Sequence, residues 1–172
     1  IEVPQEAAGT EGSSIYLKAG ERYTVEELLY GMMLRSGNDA AVTLDLHHSG
    51  SIAAFAQAMN EKAAMLGATD SHFINPHGLP DKRHRTTARD LALIAAYAME
   101  NETFRTIVST QYYAPRAWHN KNKMLSEYEG ANGVKTGFTA DAGRCLVTSA
   151  QRSGMTLVSV VLNAPQMYER TT

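Results

Sequence analysis

The chain has 172 residues, 44% of them hydrophobic and 20% charged, which is enough for one domain with a sizeable core. A formal net charge of -2 gives no reason to expect nucleic acid as a partner, and no apolar run approaches the ~20 residues that cross a bilayer. Cys145 is the sole cysteine, so an intramolecular disulfide is excluded.

Residues 1–12 are mixed, acidic and without periodicity, and read as a loop or a frayed end. Residues 14–17 predict a short strand before a turn at Ala19-Gly20. Thr24 and Glu27 stand at capping-box spacing, with Leu28, Leu29, Met32 and Met33 following at helical intervals. A helix is therefore expected over 24–34. Ser36-Gly37-Asn38 interrupts it, and Asp39 is placed to cap a second helix carrying Ala40, Ala41, Leu44 and His47. A third helix is expected over 51–66, with Phe55, Met59, Lys62, Ala63 and Leu66 along its inner face and stem. Residues 69–86 are rich in Asp, Asn, Pro, Gly and His and read as a structured loop. Thr87 and Asp90 again have capping-box spacing, opening a fourth helix over 87–100, and a short fifth is expected over 101–109.

Beyond residue 110 the period changes. Short strands are expected at 111–114 and around Trp118, then a longer one over 132–138. Runs over 144–151 and 155–162 flank Arg152-Ser153-Gly154, a hairpin signal. A helical part over about 24–109 followed by a strand-rich part over about 110–164 predicts an α+β fold, helices packed on an antiparallel sheet. There is no repeat and no low-complexity tract.

Several residues invite functional readings that simpler ones outweigh. His47 and His48 are helical neighbours about 100° apart and share no face for a metal. His72, His77 and His84 cluster in the loop, where His77 is better explained as a hydrogen bonder fixing that loop near a cleft. Met32, Met33, Met59 and Met65 read as core fillers, and Cys145 as a small buried hydrophobe in an apolar strand. Tyr112, Tyr113 and Trp118 could line a sugar or peptide groove, though packing of short strands is the commoner reason for such residues. Glu100, Asn101 and Glu102 read as a solvated helix end. No metal or other cofactor is expected.

Two triplets carry the chemistry, Ser36-Gly37-Asn38 and Lys135-Thr136-Gly137. They resemble two of the three active-site motifs of penicillin-recognising serine acyl-transfer enzymes. The third motif, Ser-x-x-Lys, is absent, since no serine of the chain has lysine three places on. Longer stretches sharpen the resemblance: residues 24–41, Asn75-Pro76-His77-Gly78-Leu79, residues 87–92, residues 120–125 and residues 133–139 are similar, in order, to D-alanyl-D-alanine carboxypeptidases of the low-molecular-weight penicillin-binding protein family. The similarity covers about 15–164 and implies a β-lactamase/transpeptidase-like fold.

The resemblance further implies a serine and lysine outside this sequence as nucleophile and base. Ser36 would pass a proton toward the leaving D-alanine, its hydroxyl donating and accepting at once. Asn38 would fix the substrate amide and the missing lysine, and Gly37 would give the turn its freedom. Lys135 and Thr136 would hold the terminal carboxylate, Gly137 would let the strand approach the ligand, and the amide of Phe138 would donate to the oxyanion. The expectation is a partial catalytic domain over 1–172, incomplete at both ends, inactive alone and forming no covalent adduct with penicillin. Either a complementing chain or self-association is expected to cover its unpaired edge. Implied partners are a peptidoglycan stem peptide ending in D-Ala-D-Ala and, for the intact enzyme, β-lactams. The implied location is extracytoplasmic, with any export signal removed or upstream. Two other readings stay open, a serine β-lactamase and a non-catalytic module that binds wall peptides. Gly37 and the Asn75 loop favour the carboxypeptidase, and no Glu-x-x-Leu-Asn deacylation motif is evident.

Overall fold

Thr24 opens the first helix through a reciprocal pair of hydrogen bonds. In the computed structural model, which describes residues 1–171, its hydroxyl accepts from the Glu27 amide at 3.0 Å. The Glu27 carboxylate in turn accepts from the Thr24 amide at 2.9 Å, completing the expected capping box. This starts α1 (Val25–Arg35), which buries Leu28, Tyr30, Gly31 and Leu34. The helix stops at Ser36, whose backbone turns left-handed with φ 59 and ψ 37.

α2 (Asn38–Ser49) follows at once, capped by Gly37 and not by Asp39 as expected. Asp39 lies instead in the first turn, fully buried, and its carboxylate accepts from the Ser14 hydroxyl at 2.6 Å and the Leu17 amide at 3.0 Å. That cluster explains a failed expectation. Residues 14–17 form no strand, because their donors curl around one carboxylate and no neighbouring ladder takes them; Tyr16 adopts φ 63. α3 (Ile52–Met65) is capped by Ser51 and buries Ala56 and Ala63, while Lys62 reaches over the Tyr97 ring. Met65 is 78% exposed, so it fills no core. α4 (Ala88–Ala98) starts with the Thr87 hydroxyl accepting from the Asp90 amide at 3.1 Å. α5 (Glu102–Ser109) starts on Asn101, which caps the Phe104 amide at 3.0 Å and so does more than solvate a helix end.

The strand-rich part matches the period change. β1 (Tyr112–Tyr113) pairs with β2 (Trp118–His119) across a 3-10 turn, and Tyr113 stacks on Tyr30 at 4.1 Å, which is packing and not a groove. A one-turn helix, α6 (Met124–Glu127), was not anticipated. β3 (Ala131–Thr139), β4 (Gly143–Arg152) and β5 (Met155–Val161) form an antiparallel sheet in that order, leaving β3 and β5 as edges among the described residues. Ser153 and Gly154 close the β4–β5 hairpin with φ 49 and 79, the paired positive values a tight two-residue turn needs. Cys145 is partly exposed on β4 because alternation turns it away from buried Leu146. Residues 165–171 run in successive turns, with the Arg170 amide donating to the Gln166 carbonyl at 3.1 Å.

The architecture is α+β, helices beside an antiparallel sheet. α5 packs against both α1 and β3, and Met99, Val108 and Val134 share one buried cluster. This contact holds the C-terminal end of α1 beside edge strand β3, the arrangement on which the site depends.

Candidate active site

Ser36 and Lys135 are 99 residues apart in sequence and bonded in space. The left-handed bend at the end of α1 carries Ser36 out of the helix, and the Gly37 amide closes the bend on the Gly31 carbonyl at 3.1 Å. Opposite, on β3, the Lys135 ammonium donates to the Ser36 hydroxyl and to the Thr136 carbonyl at 2.7 Å. The residue as a whole stays partly exposed, but protein surrounds its ammonium end. Desolvation first, and the positive charge of Lys121 second, push Lys135 down to about 8.

Asn38 begins α2 on the same side. Its backbone amide donates to the Ser13 carbonyl at 2.8 Å and its side-chain NH2 to the Glu11 carbonyl at 2.7 Å. Its carbonyl oxygen is left as the group it can offer a ligand. The loop it grips comes close because position 12 is glycine: a Cβ there would sit 2.7 Å from the Asn38 amide nitrogen.

The loop over residues 69–86 is clamped from two helices. Asn60 on α3 exchanges two hydrogen bonds with the backbone of Phe73, at 2.7 and 2.8 Å, and Asp90 on α4 accepts from Asp70 and Ser71. Inside it Asn75 accepts from the Gly78 amide at 2.7 Å and donates to the Leu79 carbonyl at 2.9 Å. His77 Nδ1 accepts from the Leu79 amide at 3.2 Å, the loop-fixing bond expected of it. Desolvation, and then the nearby charge of His84, hold His77 below the usual imidazole range. No group of three metal-ligating side chains occurs among the described residues.

These elements enclose one cleft of about 480 Å³, a size that accepts a peptide end or small molecule. Ser36, Gly37, Asn38, Lys135, Thr136, Gly137 and Phe138, all singled out from sequence, line it together. Pro76, His77 and Leu79 form a further wall. Sequence reasoning missed Ser13, Lys121, Lys123, Arg144 and Tyr168 in the lining. Lys121 and Lys123 lay in a segment already matched to a family pattern, which was the available signal. Ser13 sits in an aperiodic stretch that offered none.

A family profile described as D-alanyl-D-alanine carboxypeptidase matches residues 1–166. The D-alanyl-D-alanine carboxypeptidase DacF of Bacillus subtilis is 36% identical over 99% of this chain and 46% of its own length. A D-alanyl-D-alanine carboxypeptidase of Streptomyces is 42% identical over 92% of this chain and 60% of its own. The crystal structure of a Streptomyces DD-transpeptidase superposes with a TM-score of 0.91 at 34% identity, covering 99% of this chain and 74% of that one. That of the D-alanyl-D-alanine carboxypeptidase DacD from Francisella tularensis gives 0.87 at 30%, covering 99% and 55%. This chain therefore spans about half the length of the curated relatives it matches. The relatives' names do not favour a β-lactamase or a non-catalytic module. With the profile covering almost every residue and the backbone shared with solved DD-peptidases, the chain belongs to the D-alanyl-D-alanine carboxypeptidase family and has its β-lactamase-like fold.

Proposed function

We propose that this chain is the peptide-holding part of a serine-type D-Ala-D-Ala carboxypeptidase, which removes the terminal D-alanine from peptidoglycan stem peptides outside the cytoplasmic membrane. The observation that supports it most is the Lys135 ammonium resting on the Ser36 hydroxyl inside a cleft. Donation from Lys135 leaves the Ser36 proton free to go to the leaving D-alanine nitrogen, while Lys135 replenishes Ser36. A lysine titrating at about 8 suits that exchange near neutral pH. The terminal carboxylate seats on Lys135 and the Thr136 hydroxyl, Asn38 accepts from the substrate amide, and the Phe138 amide stabilises the developing oxyanion. Gly137 keeps the strand open to the ligand backbone. Attack itself needs a serine and a base that these 172 residues do not contain as a Ser-x-x-Lys pair. The chain alone therefore binds without turning over, and β-lactams acylate only an enzyme that has the nucleophile.

Calorimetric titration with a short peptide ending in D-Ala-D-Ala tests this reading. Binding should fall as pH rises through about 8, where Lys135 loses its charge, and Lys135→Gln should weaken it by about tenfold or more. Binding that ignores both changes overturns the role given to Lys135. A covalent penicilloyl mass on the chain alone would overturn its dependence on an outside nucleophile.

A further inference from the structure

The cleft carries more positive charge than one carboxylate can use. Lys121, Lys123, Lys135 and Arg144 line it with no aspartate or glutamate among the lining residues, in a chain whose net charge is -2. None of the four forms a salt bridge among the described residues. Three have other company: Lys135 on Ser36, Lys121 on the Ser13 hydroxyl at 3.2 Å, and Lys123 over the Tyr168 ring at 6.0 Å. Arg144 differs. Its guanidinium lies 5.6 Å from the centre of the Phe138 ring, and its N–H groups meet no protein acceptor among the described residues.

Phe138 is as unusual as its partner. It directly follows Lys135-Thr136-Gly137 on edge strand β3, it is the register partner of Arg144, and it is 68% exposed. A large ring presented at an open edge, with a guanidinium over it, makes an apolar platform beside a fork of unused donors.

Spacing fixes what such a platform can meet. A ligand extended along an edge strand advances about 3.3 Å per residue, in step with the strand. With its terminal carboxylate at Lys135 and Thr136 and the carbonyl of its second residue on the Phe138 amide, the third residue falls one strand step beyond, beside the Phe138 and Arg144 pair. We propose that Phe138 and Arg144 form a second anion seat, and that it selects peptides whose third residue from the C-terminus bears a carboxylate. The proposal rests on the reading of the cleft given above and adds the class of peptide it prefers.

Two peptides differing by one charge decide it: acetyl-L-Glu-D-Ala-D-Ala and acetyl-L-Gln-D-Ala-D-Ala, titrated into the chain at low and high salt. The glutamate peptide should bind about tenfold tighter at low salt, with the preference shrinking as salt screens it. Arg144→Gln should bring the ratio of the two affinities to about one, Arg144→Glu should reverse it, and Arg144→Lys should restore most of it. Lys135→Gln should weaken both peptides and leave the ratio standing. Equal affinities for the unmodified chain, or a ratio that survives Arg144→Gln, overturn the second seat alone. If neither peptide binds, the reading of the cleft fails and the second seat with it.

Discussion

Two aspartates on α2 are sealed from solvent, and their surroundings could hardly differ more. At the N-terminal end, Asp39 accepts from the Ser14 hydroxyl and from the amides of Ile15, Leu17 and Ala40, at 2.6 to 3.2 Å. In the C-terminal half, neither carboxylate oxygen of Asp45 has a hydrogen-bond partner among the described residues. Burial pushes Asp45 up from its ordinary 3.8, with only the charge of His48 opposing it. The lesson is that burial alone does not make a charged group structural. Asp39 folds residues 14–17, which follow directly on the Gly12 and Ser13 wall of the cleft, around itself, whereas Asp45 is a liability the helix tolerates.

The largest expected effect breaks the satisfied end. Asp39→Ala leaves several buried donors without acceptors and should lower stability by about 3 to 5 kcal/mol, measured by urea unfolding. A loss below about 1 kcal/mol would mean that residues 14–17 hold their course without it. Next comes the opposite sign at the other site. Asp45→Ala should raise stability by about 1 to 2 kcal/mol near neutral pH, since it removes an unpaired buried acid and inserts the best helix former. The pH dependence follows from the raised value. The folded state holds its proton more tightly than the unfolded state, so Asp45 weakens the fold as pH rises above 3.8. The benefit of Asp45→Ala should therefore shrink as pH is lowered toward 3.8, and a pH-independent benefit would refute this account. The smallest effect tests the neighbour of Asp39. Asn38→Ala gives up one bond to the Glu11 carbonyl and should lower stability by about 1 kcal/mol in the same unfolding series.

Local rules written in short sequence spans were legible. Thr24 with Glu27, and Thr87 ahead of Asp90, announce helix starts that the structure keeps to within a residue. The Arg152-Ser153-Gly154 turn announces the β4–β5 hairpin. Signals that depend on a distant partner were not legible. Residues 14–17 alternate like a strand, yet a carboxylate 22 residues and more away dictates their path. Asp39 looked like a cap because aspartate usually is one at that distance from a break, and its true partners lay upstream, where no period marked them. The triplets could be read as a pair from their resemblance to known motifs, and the cleft brings them together. Arg144 escaped notice because nothing within a β-strand pattern distinguishes a lip residue from a solvated one.

The bend at Ser36 also limits how this position can drift. Threonine would bring the same hydroxyl, but its branched Cβ is a poor fit to a backbone held at φ 59. Asparagine, aspartate and glycine accept that backbone readily and bring no hydroxyl. Geometry and chemistry thus each admit a different short set of amino acids here, and serine keeps the hydroxyl at a smaller backbone cost than branched threonine.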